Sequence, residues 1–350
     1  MLCTGARILL ESLKREGVDL FFGYPGGAVI DIYDELSNHP DLRHILVRHE
    51  QGAVHAADGY ARACGKVGVC LATSGPGATN TVTGIATAYS DSIPMVIFTG
   101  QVSTPLIGND AFQEVDIIGI TRPCTKHNFL VKDVKDLAET VRKAFYLARS
   151  GRPGPVLVDI PKNIQQASCE FVWPEDVVMR SYCPTFRANL NQLRRAMDVL
   201  VTSRKPLIVA GGGVIMANAA EELCTLAHLM HAPVCSTLMG LGAFPGDDPL
   251  WIGMLGMHGT FAANRAVTQA DVILAVGARF DDRVTGKLSQ FAPNARIVHI
   301  DIDPTTLRKN VRVEVPVVSD ALSALQDLRS ILESGHAQKD WAGDHADWMG

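Results

Sequence analysis

Residues 67–100 read VGVCLATSGPGATNTVTGIATAYSDSIPMVIFTG, and this stretch decides the fold. VGVCLAT (67–73) and PMVIFTG (94–100) are short apolar runs without polar alternation, the pattern of strands buried on both faces. Between them, TSGPGATN (73–80) is a glycine- and proline-rich turn that opens a helical stretch near 77–90. Strand, turn, helix and strand in this order predict a parallel sheet covered by helices on both faces.

The same alternation extends in both directions. VDLFFGYPGG (18–27), HILVR (44–48) and GPVLVDIP (154–161) read as further buried strands, with helical segments near 4–16, 26–37, 50–64 and 133–150. A first domain over 1–165 follows. Residues 166–188, with prolines at 174 and 184 on a mixed polar background, read as a linker. A second series then begins: strands at PLIVAGGG (206–213), PVCST (233–237), ADVILAVGARF (270–280) and ARIVHIDID (295–303), with helices near 189–202, 216–231, 259–269 and 304–309. We assign 189–332 to a second domain and 333–350, with Trp341 and Trp348, to the start of an interdomain segment. The fold class is α/β, with two doubly wound domains, each a mostly parallel sheet flanked by helices.

A chain of 350 residues with 47% apolar and 20% charged residues has the material for two cores. Its net charge of −5 is spread along the chain, and no basic stripe points to nucleic acid. No apolar run reaches the roughly 20 residues of a membrane helix, so no membrane partner is expected. The eight cysteines are scattered without CxxC spacing. Reduced cysteines in a cytoplasmic protein are the expectation, with neither a disulfide framework nor a metal site.

Three features carry chemistry. Arg48-His49-Glu50-Gln51-Gly52-Ala53 delivers a carboxylate to the first turn of a small-residue helix, where the helix dipole favours its charge. A plain capping glutamate is the simpler reading of a lone Glu. The loop at 73–80 offers backbone N–H groups to a polar or anionic ligand, although it is neither a dinucleotide fingerprint nor a P-loop. In the second domain, Gly211-Gly212-Gly213 follows a strand, and Arg279, Asp281 and Asp301 fall at strand ends, where ribose or phosphate commonly binds. Surface ion pairs are the alternative for these charges.

Taken in order, GYPGG (23–27), RHEQGA (48–53), TSGPGATN (73–80), DSIPMVIFTGQV (91–102), FQEVD (112–116), GRPGPVLVDIPK (151–162), GMLGMHGT (253–260) and GARFDDRVTGK (277–287) closely resemble the catalytic subunit of the acetolactate (acetohydroxyacid) synthase family. The resemblance covers about the first 330 residues. It implies a transferase using thiamine diphosphate, with FAD and Mg2+ also bound. Such an enzyme decarboxylates pyruvate and transfers the hydroxyethyl group to a second 2-oxo acid, pyruvate or 2-oxobutyrate, in branched-chain amino acid biosynthesis. Glu50 matches the glutamate that hydrogen-bonds the cofactor's pyrimidine ring; Gly26, Gly27 and Gln113 match catalytic positions beside it. Arg283, Lys162, Phe112 and Met257 match substrate-site positions, Arg283 as the cation for the acceptor carboxylate.

The FAD positions implied are Arg152, Gly211, Gly212, Gly213, Thr237, Leu238, Met239, Gly256, His258, Gly277, Ala278, Arg279, Asp281, Asp301, Ile302 and Asp320. The resemblance further implies a homodimer or homotetramer and the option of a small regulatory subunit. The family's ligands for Mg2+ and the diphosphate lie in a Gly-Asp-Gly segment of a third domain, and this sequence has no such triplet. No residue here is assigned to a metal, and the chain alone is expected to be inactive. The alternatives are another thiamine-diphosphate carboligase or decarboxylase, and a non-catalytic FAD-binding module.

Overall fold

The computed structural model describes residues 2–335 and 339–349, which form two compact units, Met1–Tyr182 and Cys183–Gly350. In the first unit the strands are β1 (Leu2–Thr4), β2 (Leu20–Gly23), β3 (Arg43–Leu46), β4 (Gly68–Ala72), β5 (Met95–Gln101), β6 (His127–Leu130), β7 (Pro155–Pro161) and β8 (Ser168–Glu170). Six of them make one parallel sheet in the order β3-β2-β4-β5-β7-β6. β4, β5 and β7 are buried along their whole length, as their continuous apolar runs require. The sheet reverses its order between β2 and β4. The loops after those two strands therefore leave the carboxyl edge in opposite directions and open a crevice between them.

Several local features differ from the sequence reading. The helix expected near 77–90 is broken into Pro76–Thr79 and Val82–Asp91. β6 adds an edge strand that HNFL gave no strong apolar signal for. Residues up to Tyr182, within the stretch read as a linker, pack on the first unit. β8 pairs antiparallel with β1, the Arg142 guanidinium lies 5.5 Å from the Trp173 ring centre, and the Tyr182 hydroxyl donates to the Ser150 carbonyl at 2.7 Å. Trp173, Met179 and Tyr182 cover apolar surface there.

The second unit has β9 (Pro206–Ala210), β10 (Val234–Ser236), β11 (Trp251–Met254), β12 (Val272–Val276), β13 (Arg296–Asp301) and β14 (Val315–Val318). Their order, β11-β10-β9-β12-β13-β14, is the doubly wound arrangement whose reversal lies between the first and fourth strands, here β9 and β12. Both faces are covered. Ile208 and Ala210 of β9 point into one core with Leu193, Leu226 and Leu325, while Leu207 and Val209 point into the other with Ala263 and Val267. The helix expected near 304–309 does not form. A turn replaces it, held by the Asp303 carboxylate, which accepts from the Thr305 amide at 2.9 Å. Residues Trp341–Met349 form a helix on this unit, with Trp341 buried and the Trp348 indole donating to the Pro206 carbonyl at 2.8 Å.

Candidate cofactor sites

In the first unit, β3 leads into the helix Glu50–Cys64, capped by the His49 imidazole, which accepts from the Gln51 amide at 3.1 Å. Glu50 is the first residue of this helix and only 8% exposed. The amide of Asn80, at the end of the helical turn Pro76–Thr79, donates to Glu50 Oε2 at 2.9 Å. Gly77 lies beside the other oxygen: a Cβ added there would come within 3.1 Å of Glu50 Oε1 and 2.6 Å of Thr73 Cγ2. Thr73 in turn ties the two loops of the crevice together, its Oγ1 accepting from the Ala28 amide at 3.2 Å. A Cβ at Gly26 would overlap the Thr73 side chain at 2.5 Å, so that glycine serves the packing of the loops. Gly27 is different, because a Cβ there meets nothing within 4 Å and its φ is not left-handed. The fold makes no demand for glycine at 27, and the space beside it is open.

The loop carrying Phe112 and Gln113 reaches the same place. Gln113 has φ 56, a left-handed conformation uncommon for a side-chain-bearing residue, and its carbonyl would meet a Cβ on Gly75 at 2.5 Å. Phe112 is 88% exposed, an isolated apolar ring facing away from its own unit's core. Lys162, the first residue after β7, donates through Nζ to the Gly27 carbonyl at 3.1 Å. The structure therefore brings Gly26, Gly27, Glu50, Gln113 and Lys162 to one edge, around Thr73 and Gly75.

Beneath this edge lies a carboxylate that the sequence did not single out. Asp159 of β7 is buried, accepting from Thr99 Oγ1 at 2.7 Å and Gln101 Nε2 at 3.0 Å. Gln101 Nε2 also donates to the Val115 carbonyl at 3.0 Å, which fixes the base of the Gln113 loop. Burial pushes the Asp159 carboxyl up to about 7 against the two hydrogen bonds, and the charge of Asp116 adds to the rise. The unfolded carboxyl, near 3.8, has lost its proton between about pH 4 and 7 while the folded one retains it. Stability contributed by this group is thus present at low pH and falls as pH rises through that window, by on the order of 4 kcal/mol. Asp159→Asn is therefore expected to gain stability relative to the parent between pH 5 and pH 8. Thermal midpoints of the two proteins across that range check it, and a constant gap contradicts it.

In the second unit the glycines sit at the β9/β12 reversal. The Gly211 amide donates to the Val276 carbonyl at 2.8 Å, and the Gly277 amide to the Ile300 carbonyl at 2.8 Å. A Cβ on Gly211 would lie 2.0 Å from the Gly277 carbonyl oxygen, and one on Gly213 2.7 Å from Gly277 Cα. Two backbones meet there with no space for side chains between them. The Thr237 amide bonds the Ala210 carbonyl at 3.0 Å, which carries Thr237, Leu238 and Met239 to the same carboxyl edge, with Leu238 exposed. Ala278 is held by His299, whose Nε2 donates to its carbonyl at 2.8 Å, and burial lowers that imidazole to about 4, so it stays neutral.

Gly256, Met257 and Arg283 also meet. The Met257 amide donates to the Arg283 carbonyl at 2.8 Å, and Asn264 clamps Gly256 through its amide and carbonyl, both at 2.9 Å. His258 is exposed in the next position. The Arg283 side chain is 69% exposed and 3.7 Å from Asp282, a weak pair that leaves its guanidinium to solvent.

The acids divide into two kinds. Asp281 Oδ1 caps the turn Asp282–Thr285 and its Oδ2 lies 3.6 Å from Arg279, while Asp320 caps Ala321–Glu333 through the Leu322 and Ser323 amides. Both have structural work in the fold. Asp301 ends β13, with Ile302 next, and accepts from the Asp303 amide at 2.9 Å. Arg152 belongs to the first unit, where its Nε donates to Ser92 Oγ at 2.8 Å. Asn80, Thr73, Asn264 and His299 had no role in the sequence reading. For Asn80 and Thr73 the signal was a polar residue at the edge of a glycine turn; the partners of these four lie between 8 and 45 residues away.

The match to known families agrees with this architecture. Residues 3–120 match the thiamine pyrophosphate enzyme N-terminal TPP binding domain, and residues 193–328 match the thiamine pyrophosphate enzyme central domain. The chain belongs to the thiamine pyrophosphate enzyme family. Within it, the chain is similar to the acetolactate synthase large subunit of Buchnera aphidicola subsp. Schizaphis graminum, 51% identical over 99% of this chain and 61% of the relative. It is similar also to the acetolactate synthase isozyme 3 large subunit of Escherichia coli K12, 52% identical over 99% of this chain and 62% of the relative. The probable acetolactate synthase large subunit of Methanocaldococcus jannaschii is 54% identical over 94% of this chain and 56% of the relative. The chain thus spans about three fifths of the length of these curated relatives. No helix among the described residues is long and apolar enough to cross a membrane.

Proposed function

We propose that this chain supplies the pyrimidine-facing half-site and a flavin-binding domain of an acetolactate synthase, which joins two 2-oxo acids with loss of carbon dioxide. The observation that carries the reading is the convergence of a buried, Asn80-held Glu50 with the open space at Gly27 on the β2/β4 crevice. These residues fit an aminopyrimidine: an acceptor for its ring N–H, backbone on either side and no side chain in the way. Thiamine diphosphate, when bound, supplies an electron sink for the carbon that loses carbon dioxide.

The protein's own part is positioning and proton handling. Glu50 holds a proton at the pyrimidine nitrogen, and Asn80 fixes which carboxylate oxygen turns toward it. Gln113 is presented by its left-handed backbone, and Lys162 braces the Gly27 carbonyl. Arg283, free of any strong pair and set beside Met257, is the planar cation for the acceptor's carboxylate. Phe112 in the first unit and Met257 in the second are exposed apolar side chains, each suited to contact with the apolar part of a substrate.

FAD fits the second unit, because the Gly211–Gly213 and Gly277–Arg279 loops pack together at the β9/β12 reversal, the point at which a doubly wound sheet takes a nucleotide. Asp301 would meet its ribose; the capping duties of Asp281 and Asp320 leave one oxygen of each carboxylate for the nucleotide. No residue of this sequence is assigned to Mg2+. We further propose a homodimer or homotetramer, cytoplasmic, with a small regulatory subunit as an optional partner.

The test at the site is Gly27→Ala in the native protein. Its thermal stability is expected to stay within about 0.5 kcal/mol of the parent, because the new methyl meets no atom of the fold. Its rate of acetolactate formation is expected to fall. Gly26→Ala, which overlaps Thr73, loses stability as well, by about 1–3 kcal/mol. An unchanged rate in Gly27→Ala contradicts the assignment of that space to the cofactor.

A further inference from the structure

The helix Ala220–Leu229 carries Cys224 and His228 four residues apart, so both side chains lie on one face. Asp248, in the loop before β11, meets them there: one donor atom from each of the three lies within 4.8 Å of the others. His228 Nε2 and Asp248 Oδ2 are 2.7 Å apart. Asp248 Oδ1 accepts from the Leu250 amide at 2.9 Å, which fixes the carboxylate and aims its second oxygen at the imidazole. Phe244 stacks beside the His228 ring with centroids 6.5 Å apart. Cys224 is half-buried, with its thiol pushed up by burial and by the negative charge of Asp248.

We propose that Cys224, His228 and Asp248 form a site for a borderline divalent cation of the Zn2+ class, with water in the fourth position. A thiolate, an imidazole and a carboxylate are the donors such ions take, and the soft sulfur disfavours Mg2+. A tetrahedral ion about 2.0–2.3 Å from each donor needs donors about 3.4–3.7 Å apart. The imidazole and carboxylate open by about 1 Å to admit it, and the sulfur closes by a similar amount. Binding releases the Cys224 proton to solvent and leaves the imidazole proton on Nδ1, so that Nε2 is the ligand. The negative charge now raising the thiol is then balanced by the ion. The site ties the helix to the loop that leads into β11 and stands apart from the β9/β12 edge.

The experiment is titration of the reduced, chelator-treated native protein with Co2+ in excess Mg2+, read as difference spectra that cancel any flavin. One equivalent is expected to give a thiolate-to-cobalt charge-transfer band, displaced by Zn2+. The band is expected to vanish in Cys224→Ser, a near-isosteric change at a half-buried position, and binding to weaken by about 10–100-fold in Asp248→Asn. A band that persists in Cys224→Ser, or Co2+ uptake without a thiolate band, overturns the proposal, as does no uptake at all.

Discussion

On the proposed reading, Glu50→Gln is expected to lower the rate of acetolactate formation by the native protein about 10²–10⁴-fold, the range for removing a positioned proton-handling group. The change is isosteric, and the carbonyl of the new side-chain amide can still accept from the Asn80 amide, so the helix start and the 73–80 loop keep their places. What disappears is the anionic oxygen beside Gly77. A neutral amide there cannot hold a proton at a pyrimidine nitrogen. Loss of rate with unchanged thermal midpoint separates this chemistry from damage to the fold. Asn80→Ala, which frees the carboxylate without neutralising it, is expected to cost less. If the Glu50→Gln protein works as well as its parent, the carboxylate is only the first residue of its helix.

Gly211→Ala is expected to cost stability of about 3 kcal/mol or more and to abolish flavin retention through gel filtration. The new Cβ lies 2.0 Å from the Gly277 carbonyl oxygen and 2.6 Å from Ala278 Cα, contacts that only backbone movement relieves. Overpacking against side chains costs about 1–3 kcal/mol, and here no flexible side chain exists to yield. The two loops also share hydrogen bonds, since the Gly213 amide donates to the Gly277 carbonyl at 3.1 Å. Moving one displaces the other. Thermal unfolding and the flavin absorbance of the purified variant check both effects. Retained flavin at parental stability contradicts the assignment of this reversal point to FAD.

The central strands were legible because burial on both faces leaves a continuous apolar run, as in β4, β5 and β7. The edges were harder. β14 has Pro316 within VPVV, tolerated only because an edge strand need not donate on both sides, and β1 and β8 are three residues each. The small-residue run at 50–64 and the glycine turns located the crevice, because few residues other than glycine tolerate such close approach. Asn80 and Asp159 were not legible. Their partners lie 30 and about 60 residues away, and no local pattern encodes a contact made by folding strands side by side. Asp281, read as a ligand contact from its strand-end position and the resemblance, and Asp320, read so from the resemblance alone, show the reverse: each also caps a helical turn or helix.

The most direct test of the central claim is to identify the products formed from pyruvate with thiamine diphosphate, Mg2+ and FAD when this chain works together with a domain that holds the cofactor's diphosphate. The account predicts carbon dioxide and 2-acetolactate in equal amounts, with 2-aceto-2-hydroxybutyrate appearing when 2-oxobutyrate is added. Acetaldehyde or acetate in place of acetolactate, or no consumption of pyruvate, contradicts it.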